Sequence, residues 1–165
     1  MKPNKVPTPK RQDRLIRERV HDPYQTRSKL PEPTLCPQCG AVFHEGRWTW
    51  ARPPKEAHEH LCPACRRSNE KYPAGTLTIS GNFVKEHKDE IIGLVRNQEE
   101  LEKGEHPMHR IMAIEEQEDG LVVTTTDIHL PRRVGEALHR AYEGELDFHY
   151  DEESYLIRVK WRRDA

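Results

Sequence analysis

Four cysteines, all that the chain has, stand as two pairs: Cys36-Pro37-Gln38-Cys39 and Cys62-Pro63-Ala64-Cys65. A gap of two residues lets one tight turn aim both sulfurs at one point. Two such turns supply the four thiolates of a closed tetrahedral zinc site. A proline follows the first cysteine of each pair and presets φ in the turn, and Gly40 stands where the chain must reverse. The spacing predicts one structural zinc ion on Cys36, Cys39, Cys62 and Cys65. The competing chemistries are two disulfides and a redox-active dithiol. Disulfides need an oxidising compartment. A redox C-x2-C usually comes singly between a strand and a helix. His44, His58 and His60 lie near the pairs, and His60, beside Cys62, is the histidine best placed to replace a thiolate. Four thiolates leave no position for a bound water, which points to a structural site rather than a hydrolytic one.

A second group of residues suits binding. Trp48 and Trp50 offer rings for stacking on unpaired bases, with Arg47 and Arg52 beside them for phosphate. The plainer role for either tryptophan is to cover a small ribbon core. Arg66 and Arg67 follow the second cysteine pair, Arg132 and Arg133 open a helix, and Arg158, Lys160 and Arg162 alternate along the last strand. Together they are candidates for one basic surface, or for ordinary solvated faces. Thr124, Thr125, Thr126, Asp127 and His129 include nucleophile, acid and base types, but threonine runs are common in strands and Asp127 fits a helix cap. The chain has no glycine-rich phosphate loop and so predicts no nucleotide cofactor. It reads as a binding protein, with a zinc-dependent enzyme a distant third reading.

The elements that must position these residues fall into four stretches. Residues 1–33 form a proline-containing arm, expected to be disordered, with Arg11, Arg14, Arg17 and Arg19 in its one helix-prone stretch. Residues 35–67 form a zinc ribbon. Its strands are expected at 41–44 and 47–51, with a Glu45-Gly46 turn between them. Residues 68–80 are a linker or short strand. Residues 81–165 carry the clearest pattern. A helix is expected over 82–103, with Phe83, His87, Ile91, Leu94, Val95 and Leu101 on one face. Strands at 110–116 and 121–126 follow, then a helix that begins between Asp127 and Pro131 and ends before Gly144. Leu146, Phe148 and Tyr150, then Tyr155, Ile157, Val159 and Trp161, alternate with polar residues as two further strands. The order helix-β-β-α-β-β predicts an α+β fold, a two-layer domain of antiparallel strands with helices on one face.

Charge is distributed unevenly. Residues 1–30 hold nine Lys and Arg against three acids, a net of +6, while residues 66–165 hold fifteen against twenty-one, a net of −6. A basic arm on an acidic body suggests an anionic partner such as RNA. No apolar run approaches membrane-span length, and Met1-Lys2-Pro3-Asn4 leads into no signal-peptide core, so the expected location is the cytoplasm.

Certain motifs resemble a group of small, mostly uncharacterised bacterial zinc-ribbon proteins. They are Cys36-Pro37-Gln38-Cys39-Gly40, Gly46-Arg47-Trp48, Cys62-Pro63-Ala64-Cys65, Arg110-Ile111-Met112-Ala113-Ile114-Glu115-Glu116, Val123-Thr124-Thr125-Thr126-Asp127-Ile128-His129-Leu130 and Val134-Gly135-Glu136-Ala137-Leu138. The layout is also similar to the adaptor family that escorts large ribosomal subunits from the nucleus. That family joins zinc-binding cysteine pairs to small α/β domains and binds ribosomal RNA. Its members carry several cysteine pairs, whereas this chain has enough for one zinc. The resemblance implies a ribosome- or RNA-associated module. A protein-interaction adaptor that docks through the ribbon is the alternative, and salt dependence separates the two.

Overall fold

The computed structural model describes residues 22–24, 30–53, 55–151 and 153–165. Two sheets divide them. The first is small, with the order β3-β2-β1-β4, where β1 is Thr34–Leu35, β2 Val42–His44, β3 Arg47–Thr49 and β4 His58–Glu59. The expected hairpin is β2 and β3, paired as Val42 with Thr49, Phe43 with Trp48 and His44 with Arg47. Glu45 and Gly46 both have positive φ, 52° and 80°, as a two-residue type I′ turn requires. Strand β1 bridges the hairpin to β4, antiparallel to β2 and parallel to β4. A two-residue strand has no alternation to read, so it is invisible in the sequence.

The second cysteine pair opens a helix, α1 (Pro63–Glu70), which the sequence reading lacks. Cys62 is extended and caps it, its Sγ accepting the Cys65 N–H at 3.3 Å. Pro63 sits at the first helical position, where a missing N–H costs nothing. Lys71, in the left-handed region at φ 55°, ends the helix.

The larger sheet has the order β6-β7-β5-β9-β8, where β5 is Gly75–Ser80, β6 Ile111–Gln117, β7 Gly120–Thr125, β8 Glu145–Asp151 and β9 Leu156–Arg162. The stretch expected as a linker or short strand is therefore its central strand, and the unit begins at Gly75, not residue 81. Strand β5 runs antiparallel to β7 but parallel to β9, so the sheet is mixed rather than wholly antiparallel. Only Leu77 and Ile79 mark its buried face, and its partners lie 40 or more residues away, so local alternation understates its place.

The helix expected over 82–103 is two: α2 (Asn82–Glu86) and α3 (Lys88–Glu105). They break at His87, whose backbone leaves helical values while its ring stacks on Phe83 at 4.1 Å. Leu101, expected on the apolar face, is exposed. The last helix, α4 (Leu130–Tyr142), lies on β9, β5, β8 and β7, and α3 packs against α4, so the helices cover one face as expected. One core joins Leu77, Ile79, Val159 and Trp161 of the sheet to Ile91, Val95, Val134 and Leu138 of the helices. The α+β reading holds. No helix among the described residues is long and apolar enough to cross a membrane.

Of the expected arm, residues 1–21 and 25–29, including Arg11, Arg14, Arg17 and Arg19, lie outside the described residues. Asp22 and Tyr24 dock on α1. Asp22 Oδ1 lies 2.6 Å from Arg67, and the buried Tyr24 hydroxyl bonds Glu70.

Candidate metal centre

Two local structures aim the cysteines. In the first knuckle Cys36 N–H donates to the Ala41 carbonyl at 2.8 Å and Gly40 N–H to the Cys36 carbonyl at 3.0 Å. This turn needs Gly40 at φ +84°, where a side chain is strained. The second knuckle is the N-terminus of α1. Sheet β1-β2-β4 and α1 bring the two together. Cys36 Sγ stands 3.8 Å from Cys65 Sγ, Cys39 Sγ stands 3.8 Å from Cys62 Sγ, and all four sulfurs lie within 4.8 Å of one another. Sulfurs placed tetrahedrally at about 2.3 Å from one ion stand about 3.8 Å apart. The four cysteines can therefore hold one metal ion. No histidine of the described residues joins them, and His44, His58 and His60 are all exposed.

The sulfurs collect N–H donors. Cys36 Sγ accepts from Cys62 N–H at 3.3 Å and Cys39 Sγ from Ala41 N–H at 3.5 Å. Arg110, from the residue before β6, reaches across from the larger unit. Its guanidinium donates to Cys39 Sγ at 3.1 Å and Cys65 Sγ at 3.3 Å, and reaches Cys62 Sγ at 3.6 Å. Burial pushes the Cys62 and Cys65 thiols up, against Cys65 N–H at Cys62 and against Arg110 at both. Burial acts the same way on Cys36, but N–H donors from Cys62, Cys39 and Gln38 win and hold it at about 7. Burial alone would lower Arg110, but the sulfurs keep its charge strongly favoured. A divalent ion on four thiolates leaves two negative charges, and Arg110 offsets one of them.

Arg110 has no sequence signal, because it meets the sulfurs only through the fold. Its backbone is fixed by Thr126, whose Oγ1 accepts the Arg110 N–H at 3.0 Å and donates to the Met108 carbonyl at 2.6 Å. Arg110 Nε donates to the Pro107 carbonyl at 2.6 Å. Groups that orient metal ligands matter about 10- to 100-fold in affinity. Arg110→Ala is expected to lose metal to a competing chelator by that factor. Arg110→Lys should be intermediate, since it keeps the charge but not the planar fork. Equal retention in all three proteins would remove Arg110 from the centre.

The threonine run is structural. Thr125 Oγ1 donates to the Asp127 carbonyl at 2.7 Å, and Asp127 Oδ2 accepts from His129 N–H at 2.8 Å and Leu130 N–H at 3.0 Å, capping the entry to α4. Burial pushes the Asp127 carboxyl up, against His109, His129 and those N–H groups.

The candidate RNA contacts separate. Arg47 and Arg52 are exposed. Trp48 packs half-buried on the cysteines, edge-on to Phe43 at 5.5 Å. Trp50 is 39% exposed, its Nε1 donating to the Lys103 carbonyl at 2.7 Å, and Arg110 lies over its ring at 5.5 Å. Arg66 sits over the Tyr24 ring at 5.4 Å. Arg67 and Arg132 are each 1% exposed, the first bound to Asp22 and the Tyr72 carbonyl, the second beside Glu136, so neither faces a phosphate. Arg133 pairs with Glu102 at 3.1 Å. Arg158, Lys160 and Arg162 share the open face of β9, but Arg162 is bound by Asp119 and Asp164, each at 2.9 Å. Of the candidates for one basic surface, Arg67 and Arg132 thus lie in the interior, and acids pair with Arg133 and Arg162.

A cluster the sequence reading missed lies beside Trp50. His106 and His109, between α3 and β6, stack at 4.7 Å. His109 Nδ1 is 3.1 Å from Glu102 and 3.5 Å from Asp127. Burial would raise Glu102, but His109, Arg133 and His106 hold its carboxyl below the usual range. These residues are scattered over helix and loop, so no spacing announces them.

Fold and site together define an α+β protein whose four clustered cysteines can hold a metal ion and contact the five-stranded unit through Arg110. No protein-family model matches the chain, and no curated protein or solved structure is significantly similar to it.

Proposed function

We propose that the chain is a zinc-ribbon protein that binds structured RNA, with ribosomal RNA the first candidate. Zinc suits the donor set, because four thiolates at tetrahedral separations fill its shell. The metal then supplies folding free energy to a module too small to fold by apolar burial. The observation that carries the RNA reading is that Arg47, Trp50 and Arg52, close in sequence along the ribbon, are each exposed. Trp50 is held at its Nε1, so its ring is presented rigidly and loses little freedom on binding. The +6 stretch over residues 1–30 adds sequence-independent attraction to phosphate, and Asp22 and Tyr24 tie it to the body. The resemblance to ribosome-associated adaptors points the same way.

RNA affinity should fall steeply with salt, and deleting residues 1–30 should weaken binding and flatten that slope. Tagged protein recovered from its own cells should carry ribosomal RNA. Failure of the intact protein to bind any RNA at low salt would overturn the proposal. One observation favours the alternative, a protein-docking adaptor: acids already occupy Arg133 and Arg162. Binding to a partner that is indifferent to salt would support it.

A further inference from the structure

A cleft of about 360 Å³ opens between β3 of the ribbon and the loop joining α3 to β6. Its ribbon wall carries Arg47, Trp48 and Trp50, and its other wall carries Glu105, His106 and His109. Resting on the RNA reading above, we infer that this cleft takes one unpaired nucleobase, so that the recognised feature of the RNA is a loop or bulge and not a duplex.

The walls carry planar groups on both sides. Trp50 is fixed by the Lys103 carbonyl, with Arg110 over its ring, and at 39% exposed it still lines the cleft. Across the cleft His106 and His109 are already stacked, with 26° between their planes, and His106 is exposed at the mouth. A base entering here stacks on rings that need no rearrangement, and such stacking tolerates any sequence because every base has a π-face. Polar groups complete the match. Arg47 is exposed at the rim, placed for the phosphate that follows the base. Glu105 supplies a carboxylate acceptor for an exocyclic amino group. The volume lies at the small end of ligand pockets, room for one base and its ribose but not for a helix. A base held inside a duplex cannot present its face here, so selection against paired RNA follows from shape.

The test compares a hairpin RNA bearing an unpaired loop with a blunt duplex of the same stem, at fixed salt. The hairpin should bind the intact protein at least about tenfold more tightly and quench indole emission. Trp50→Ala should weaken hairpin binding about tenfold to a hundredfold and leave duplex binding unchanged. Trp50→Phe should keep most of the affinity and lose most of the quenching. His106→Ala, exposed and away from the sulfurs, should weaken hairpin binding several-fold with metal content unaltered and only a small change in melting temperature. That variant keeps the test decisive if Trp50→Ala fails to fold. Equal affinity for hairpin and duplex, or a hairpin preference that survives both Trp50→Phe and His106→Ala with unchanged quenching, would overturn the cleft while RNA binding itself stands. No binding to either RNA would overturn the RNA reading and the cleft with it.

Discussion

A fragment of residues 81–165 is expected not to fold, whereas a fragment of residues 72–165 is expected to melt cooperatively with or without chelator. The difference is β5. It makes six residue pairs with β7 and six with β9, so deleting it opens the middle of the sheet and leaves two unpaired inner edges. Leu77 and Ile79 go with it, both 0% exposed. Burying two such side chains is worth roughly 3–6 kcal/mol, and each lost backbone hydrogen bond about another 0.5–1.5 kcal/mol. Over about a dozen ladder bonds the sum reaches or passes the whole stability of about 5–15 kcal/mol typical of a domain. Circular dichroism and thermal melting of the two fragments decide it. A cooperative melt from the shorter one would mean that β7 and β9 can pair without β5 between them.

Cys39→Ser is expected to abolish stoichiometric metal binding and unfold the ribbon while the five-stranded unit stays folded. Apart from the cysteines, the ribbon's cluster holds Ala41 and Ala64 with half-buried Trp48, Leu61 and Met108 around them. So little apolar surface does not offset the entropy of ordering the ribbon. Structural zinc supplies about 10–16 kcal/mol in small cysteine modules, and one missing thiolate removes most of that. Elemental analysis should find one zinc per intact chain and far less than one in the variant. Protease should then cut the variant within residues 35–67 and spare residues 75–165. Full occupancy in Cys39→Ser would refute the four-thiolate centre, and an uncut ribbon would show that apolar packing suffices.

The sequence by itself determined whatever depends on near neighbours. The two C-x2-C spacings specify the four sulfurs that can hold a metal ion, because a two-residue turn limits where paired sulfurs can point. Alternation in 145–162 specifies β8 and β9, and a 3.6-residue repeat specifies α4, because each pattern records one buried face. The α+β class follows from these alone.

Tertiary structure decided the rest. Strand β5 carries two apolar residues between hydroxyls, and its central place comes from β7 and β9, which lie far along the chain. Arg67 and Arg132 read as surface cations, yet both are buried, Arg67 by Asp22 and Tyr24 and Arg132 within α4 beside Glu136. A charged residue's type does not record whether an acid will meet it inside. Arg110 looks like an ordinary strand residue until the fold sets it against three sulfurs supplied by two distant turns. Alternation over 47–51 puts Trp48 and Trp50 on one side, but β3 ends at Thr49, and the cysteine core takes the first while the end of α3 holds the second at the surface. Each of these outcomes is a contact between segments distant in sequence, and the physical reason is the same throughout: periodicity records that a face is covered, but not by what.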